Sequence, residues 1–161
     1  MRLGIGGYME LGNEYKNQQK KEYLSKLEPL FAYIPYFKNK EGAHVSSTYT
    51  GNDNELKSVP VPVYDSNVLA FVKAAQKTGL VTKNYVYAVN KIHAKTPNDE
   101  RLFISGATFG DIDTVIAIMS KYVLGGMTKG YIWSEAVSEG VWFHCLMKLK
   151  ELLEIYDKPL A

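Results

Sequence analysis

The stretch that decides the fold is Asp111–Trp133, "DIDTVIAIMSKYVLGGMTKGYIW". Ile112, Val115, Ile116, Ile118, Met119, Val123 and Leu124 spread around much of a helical circumference instead of along one narrow stripe. A helix that apolar has no side to offer water, so this segment is expected to be the central, most buried element. Asp111 or Thr108 supplies its N-terminal cap, and Gly125-Gly126 stops it.

Toward the C-terminus, Trp142, Leu146, Leu149, Leu153 and Tyr156 recur at alternating steps of four and three. That spacing puts them on one helical stripe. Lys148, Lys150, Glu151, Glu154 and Lys158 cover the other side, and Pro159 follows the end. The stripe suits packing within the domain or against a second copy in a homodimer.

In the other direction, Asp65 is a good N-cap for a helix whose face is Val68, Leu69, Phe71, Val72 and Ala75, closed by Gly79. A second helix is expected over Lys83–Ala94, with Tyr85, Val86, Val89 and Ile92 inward. Thr96-Pro97-Asn98-Asp99 is a break, followed by a short helix through Leu102, Phe103 and Ile104. Before Asp65 the character changes. "AHVSSTYT", "GNDNE" and "LKSVPVPVY" read as strand, turn and strand, and Pro60 and Pro62 confine the second strand to an edge. Residues 13–26 are polar and helix-favouring, and Leu24, Leu27, Leu30, Phe31 and Ile34 then make an apolar stripe. Ser25 and Glu28 have capping-box spacing, which predicts a fresh helix near Lys26 that ends by Ile34, ahead of Pro35. The glycines of "MRLGIGGYMELG" predict a flexible lead-in over residues 1–12, with Met9 an alternative start. The fold class expected is α+β: a mostly helical single domain over residues 13–161, with about five or six helices and one small β-hairpin.

The bulk numbers narrow the function. A length of 161 residues, 46% hydrophobic and 22% charged, suits a soluble domain able to bury a core without staples. A net charge of +2 with no long basic run does not indicate nucleic acid. One cysteine excludes an internal disulfide and a Cys-rich zinc site, and a cytoplasmic location follows as the default. No window reaches the roughly 18 apolar residues of a membrane span. Twelve tyrosines raise the aromatic content to 12%, a composition suited to interfaces and shallow pockets.

Four motifs invite chemistry. His144 and Cys145 are sequence neighbours, so on a helix they diverge by about 100° and cannot act together as base and nucleophile. Catalysis at Cys145 would need His93 or His44 folded against it, and the bland reading is a small core hydrophobe. His44, His93 and His144 are too scattered for a metal site, and neither a metal nor another cofactor is expected. Glu135 and Glu139, at i and i+4, could share acid–base work, although a solvated helix face is the commoner outcome. "GGMTKGY" could present backbone amides at the start of a Tyr131–Val137 helix, with Lys129 adding charge for an anion such as a nucleotide.

The ordered pieces Tyr33–Phe37 ("YIPYF"), Pro60–Asp65 ("PVPVYD"), Gly79-Leu80 with Tyr85, and Trp133–Leu153 resemble an uncharacterised bacterial family of unknown function. The resemblance spans residues 24–156. It implies a mostly helical protein, often found among mobile-element and phage genes, and it carries over no activity. Where relatives have an Arg-x-Glu-Arg-Phe-like run before the tryptophan, this chain has "LGGMTKGYIW" and keeps only Lys129 as a charge. The expectation is therefore a non-enzymatic interaction protein that binds a macromolecular partner, such as an inhibitor of a host defence enzyme, for example a CRISPR effector. A protein partner is expected, and Tyr36, Tyr64, Lys129, Tyr131 and Trp133 are the candidate binding residues. The alternative is a small anionic ligand held by the Gly125–Trp133 loop.

Overall fold

The computed structural model describes the backbone of residues 5–43, 46–49 and 61–155, and the side chains of 14–43 and 63–154. α1 (Ile5–Phe31) is continuous, so residues 5–12 form its first turns where a lead-in was expected. No fresh helix starts at Lys26 either. The Ser25 hydroxyl donates 2.9 Å back to the Glu22 carbonyl inside the helix, so it caps nothing. Leu27 and Leu30 are fully buried. Their burial against neighbouring elements outweighs the disruption from Pro29, which lies in the last turn. After a turn at Ala32–Tyr33, α2 (Ile34–Lys38) takes Pro35 into its own first turn.

β1 (Ser46–Tyr49) and β2 (Val61–Tyr64) pair antiparallel, Ser46 opposite Tyr64 and Tyr49 opposite Val61. This is the expected hairpin. The "GNDNE" turn, Pro60 and His44 lie outside the described residues. α3 (Ser66–Lys77) begins as expected at Asp65, whose carboxylate accepts from the Asn67 amide at 2.9 Å. It ends before Gly79, whose φ of +74° favours a residue without a β-carbon. Val68, Phe71, Val72 and Ala75 are buried, whereas Leu69 is 48% exposed and does not belong to the inward face.

α4 (Tyr85–Lys91) is shorter than expected, and only Val89 on it is buried; Val86 points outward at 44% exposure. α5 (Pro97–Ser105) starts from a capping box between Thr96 and Asp99. Of the two cap candidates, Asp111 holds the N-cap position of the central helix but makes no side-chain hydrogen bond to it, and the pair instead closes the turn ahead of it. Asp111 accepts from the Thr108 amide at 2.8 Å across a short 3-10 turn (Phe109–Asp111), and α6 (Ile112–Gly125) follows. α6 buries Ile112, Val115, Ile116, Ile118, Met119, Tyr122 and Val123, the broad burial its sequence requires. α7 (Ile132–Ser138) and α8 (Val141–Ile155) complete the chain around it. Eight α-helices among the described residues, against an expected five or six, reflect how turns cut off short pieces such as α2 and α7.

The stripe of α8 faces inward: Trp142, Leu146, Leu149 and Leu153 are fully buried within the chain, which leaves them unavailable to a second copy. Tyr156 lies outside the described residues. Trp142 packs tilted against Phe71 and Phe37, with ring centres 4.8 Å and 5.8 Å apart, and the two phenylalanines meet edge-on at 4.9 Å. Its indole Nε1 donates to the Met119 carbonyl at 3.3 Å. One aromatic cluster thereby joins α2, α3, α6 and α8, and each ring pair adds about 0.5–1.5 kcal/mol beyond burial.

Candidate functional site

The loop between α6 and α7 is built on close approach. Trp133 turns back so that its indole Nε1 donates to the Val123 carbonyl at 3.0 Å. The ring then occupies the space a side chain at 126 would need, because a β-carbon there would lie 2.1 Å from Nε1. Gly125 is the looser neighbour, its added carbon meeting an Ile132 methyl at 3.2 Å. The second glycine is thus fixed by packing. The loop's amides are consumed locally: those of Gly126, Met127, Thr128, Lys129 and Ile132 donate to the carbonyls of Tyr122, Leu124, Gly125, Gly125 and Lys129. An anion in this loop would find none of the amides of residues 126–129 free.

The candidate binding residues separate into three places. Tyr64 and Trp133 meet edge-on at 5.2 Å, and the Tyr64 hydroxyl donates to the Gly130 carbonyl, pinning the loop beside β2. Tyr131, on the same loop, is 53% exposed. Tyr36 lies apart on α2, edge-on to Phe37 at 5.3 Å with the Lys40 ammonium 5.3 Å from its ring centre. Its hydroxyl is buried without a hydrogen bond among the described residues. The nearby Asp65 carboxylate is engaged with Asn67. Burial first, and the Asp65 charge second, push the Tyr36 hydroxyl up to about 12.

Lys129 faces the third place, a cavity of about 380 Å³ between α4, α6 and α7. Tyr85 and Ile132 form apolar walls, and Lys121, Thr128, Lys129 and Glu135 bring polar groups. Beneath it lies Glu100, a fully buried carboxylate. It accepts from the Tyr122 hydroxyl at 2.5 Å and from the Lys121 ammonium at 3.0 Å. Burial, reinforced by the hydrogen bond to Glu100 and its charge, raises the Tyr122 hydroxyl far above the usual phenol range. Glu100, Lys121 and Tyr85 had no local signature as a site. Glu100 reads as a helix-start acid, and its partners are more than twenty residues away in sequence.

The remaining motifs dissolve into structure. Glu135 lines the cavity, while Glu139 is drawn away: Arg101 donates to its carbonyl at 2.7 Å and lies 3.7 Å from its carboxylate. Cys145 is fully buried, with its sulfur 3.7 Å from the Val115 carbonyl. Burial first, and the Glu100 charge second, lift its thiol well above the ordinary range. His144 packs instead against the neighbouring Phe143 ring, with centres 5.6 Å apart. His93 closes α4 at a φ of 56°.

No helix among the described residues is long and apolar enough to cross a membrane. The chain belongs to a family of unknown function, DUF6508, whose model matches residues 23–154. That match covers nearly the same span as the resemblance read from the ordered motifs. No curated protein and no solved structure matches the chain.

Proposed function

We propose that this member of the family acts by binding a protein partner on the face formed by α3 and the 126–131 loop. The observation that carries the reading is a set of large apolar side chains left half in water on a rigid base. Leu69, Met127 and Tyr131 are 48%, 57% and 53% exposed. The loop is pinned at one end by Tyr64 on Gly130 and touches α3 at the other, where Gln76 Nε2 lies 3.9 Å from the Met127 sulfur. Leu69 shares the α3 face of Gln76, seven residues on, so these side chains border one surface. Aromatic and methionine side chains held on a pre-organised base are the usual anchors of protein interfaces. A binding role, as opposed to a catalytic one, is supported by the buried, proton-retaining thiol of Cys145 and by the separation of Glu139 from Glu135.

The mobile-element setting that the sequence resemblance implies makes a host defence enzyme, such as a CRISPR effector, the first partner to try. The test compares the wild-type chain with a Leu69→Lys/Tyr131→Lys double variant as bait in bacterial lysate. Each captured protein is then purified and recombined with both baits. A complex that re-forms with wild type and weakens at least tenfold with the double variant supports this face. A reconstituted complex indifferent to the two substitutions overturns it, as does light scattering that shows only self-association through these residues.

A further inference from the structure

The cavity between α4, α6 and α7 carries a charge arrangement that the partner reading does not use. Three charged groups line it, the ammoniums of Lys121 and Lys129 and the carboxylate of Glu135, and the buried Glu100 carboxylate stands behind Lys121 outside the lining. Lys121 is committed to Glu100 at 3.0 Å, and the Tyr122 hydroxyl holds the other carboxylate oxygen, so this end of the cavity is fixed. Lys121 still keeps 34% of its side chain accessible, leaving ammonium protons free to face the cavity. Lys129 and Glu135 differ: neither side chain has an ion-pair or hydrogen-bond partner among the described residues. The Thr128 hydroxyl donates to the Gly125 carbonyl at 3.3 Å, which leaves its lone pairs to accept.

We infer that this cavity is a binding site for a small zwitterion of the α-amino-acid class. The ligand carboxylate would sit between Lys129 and Lys121, and its ammonium would meet Glu135 with help from Thr128. The side chain would lie along Tyr85 and Ile132. Charge decides against a nucleotide. Glu100 neutralises Lys121 from behind and Glu135 offsets Lys129, so a dianionic phosphate would meet no net positive charge, a carboxylate in the lining and no free amide of residues 126–129. A ligand carrying one charge of each sign satisfies Lys129 and Glu135 together, and adds no net charge. A volume of about 380 Å³ accommodates such a molecule with its side chain.

The test is a thermal-shift and calorimetric screen of the full chain against the twenty proteinogenic α-amino acids, one at a time. AMP and inorganic phosphate serve as counter-probes. The expected result is that at least one amino acid raises the melting midpoint by roughly 2–8 °C at saturation. Its Kd should weaken at least tenfold in Lys129→Ala and in Glu135→Gln, and equally when its amino group is acetylated. Neither side chain holds a hydrogen bond or ion pair among the described residues, so both variants should melt within a few degrees of wild type without ligand. The inference is overturned if no amino acid binds, if the acetylated form binds as well, or if the variants bind unchanged. Tighter binding of AMP or phosphate also overturns it. None of these outcomes depends on whether a protein partner uses the α3 face.

Discussion

The indole of Trp133 lies against the backbone of Gly126, so close that a β-carbon at 126 would fall 2.1 Å from Nε1 and 2.2 Å from Cδ1. That contact helps hold the α6–α7 turn that carries Tyr131 and Lys129 and that Tyr64 of β2 meets at Gly130. Gly126→Ala is therefore expected to force the ring out and to cost about 1–3 kcal/mol, the usual range for overpacking. Gly125→Ala, with only a methyl to displace, should cost less. Urea midpoints of the two variants check the order. A Gly126→Ala protein as stable as wild type would show that the indole can relax elsewhere at no cost.

Tyr122→Phe leaves the carboxylate of Glu100 buried with one of its two partners gone. An expected loss of about 1–3 kcal/mol follows from stranding a buried acceptor. Lys121→Met should cost less, because that ammonium is a third exposed and partly solvated already. Denaturant unfolding of both variants decides the ranking, and the reverse order would place the strength of the network in the ion pair.

Alkaline pH should destabilise the fold through its buried hydroxyls and thiol. Tyr36 rises from 10.0 to about 12 on folding, and Tyr122, Tyr23 and Cys145 shift in the same direction. Between pH 10 and 12 the unfolded chain has released the Tyr36 proton that the folded chain still holds. Stability from these tyrosines is thus fully present below pH 10 and falls as pH rises through that window. Cys145 begins its share lower, from 9.0. Unfolding midpoints measured from pH 8 to 11 at constant ionic strength should decline, and Tyr122→Phe and Cys145→Ala should each flatten the slope. Identical slopes in variants and wild type would contradict the assignment.

Cys145 should react with an aromatic disulfide reagent only when the core opens. Full burial and a raised thiol pKa together starve the native state of accessible thiolate. In denaturant the thiol should react at once. A stoichiometric burst from the native protein at pH 8 would show that the Cys145 region breathes far more than its packing implies.

Local rules in the sequence carried much of the architecture. The broad apolar circumference of 112–124 made α6 the buried axis, the four-and-three spacing placed Trp142, Leu146, Leu149 and Leu153 on one face, and Asp65 and Gly79 marked the ends of α3. The paired strands were legible from β-branched runs around a polar turn. All of these depend on residues within one or two helical turns of each other, where periodicity and capping are sufficient. Ser25 shows the limit of the same logic, since its capping-box spacing lost to burial of Leu27 and Leu30. Leu69 and Val86 show it as well, because which side of an apolar helix faces water is set by its neighbours.

Only the tertiary structure decided the site. Gly126 and Trp133 are seven residues apart, yet their contact depends on the turn between them. Glu100 meets Tyr122 and Lys121 across two separate helices, and no spacing in the chain announces a buried carboxylate whose partners come from elsewhere. Tyr64 reaches Gly130 over sixty-six residues. The sequence by itself determined where α3, α6 and α8 run and the buried stripe of α8, because those follow from short-range sterics and periodic burial. What lies beside what was left to packing, where the shape of one ring and the charge of one acid select their neighbours from the whole chain.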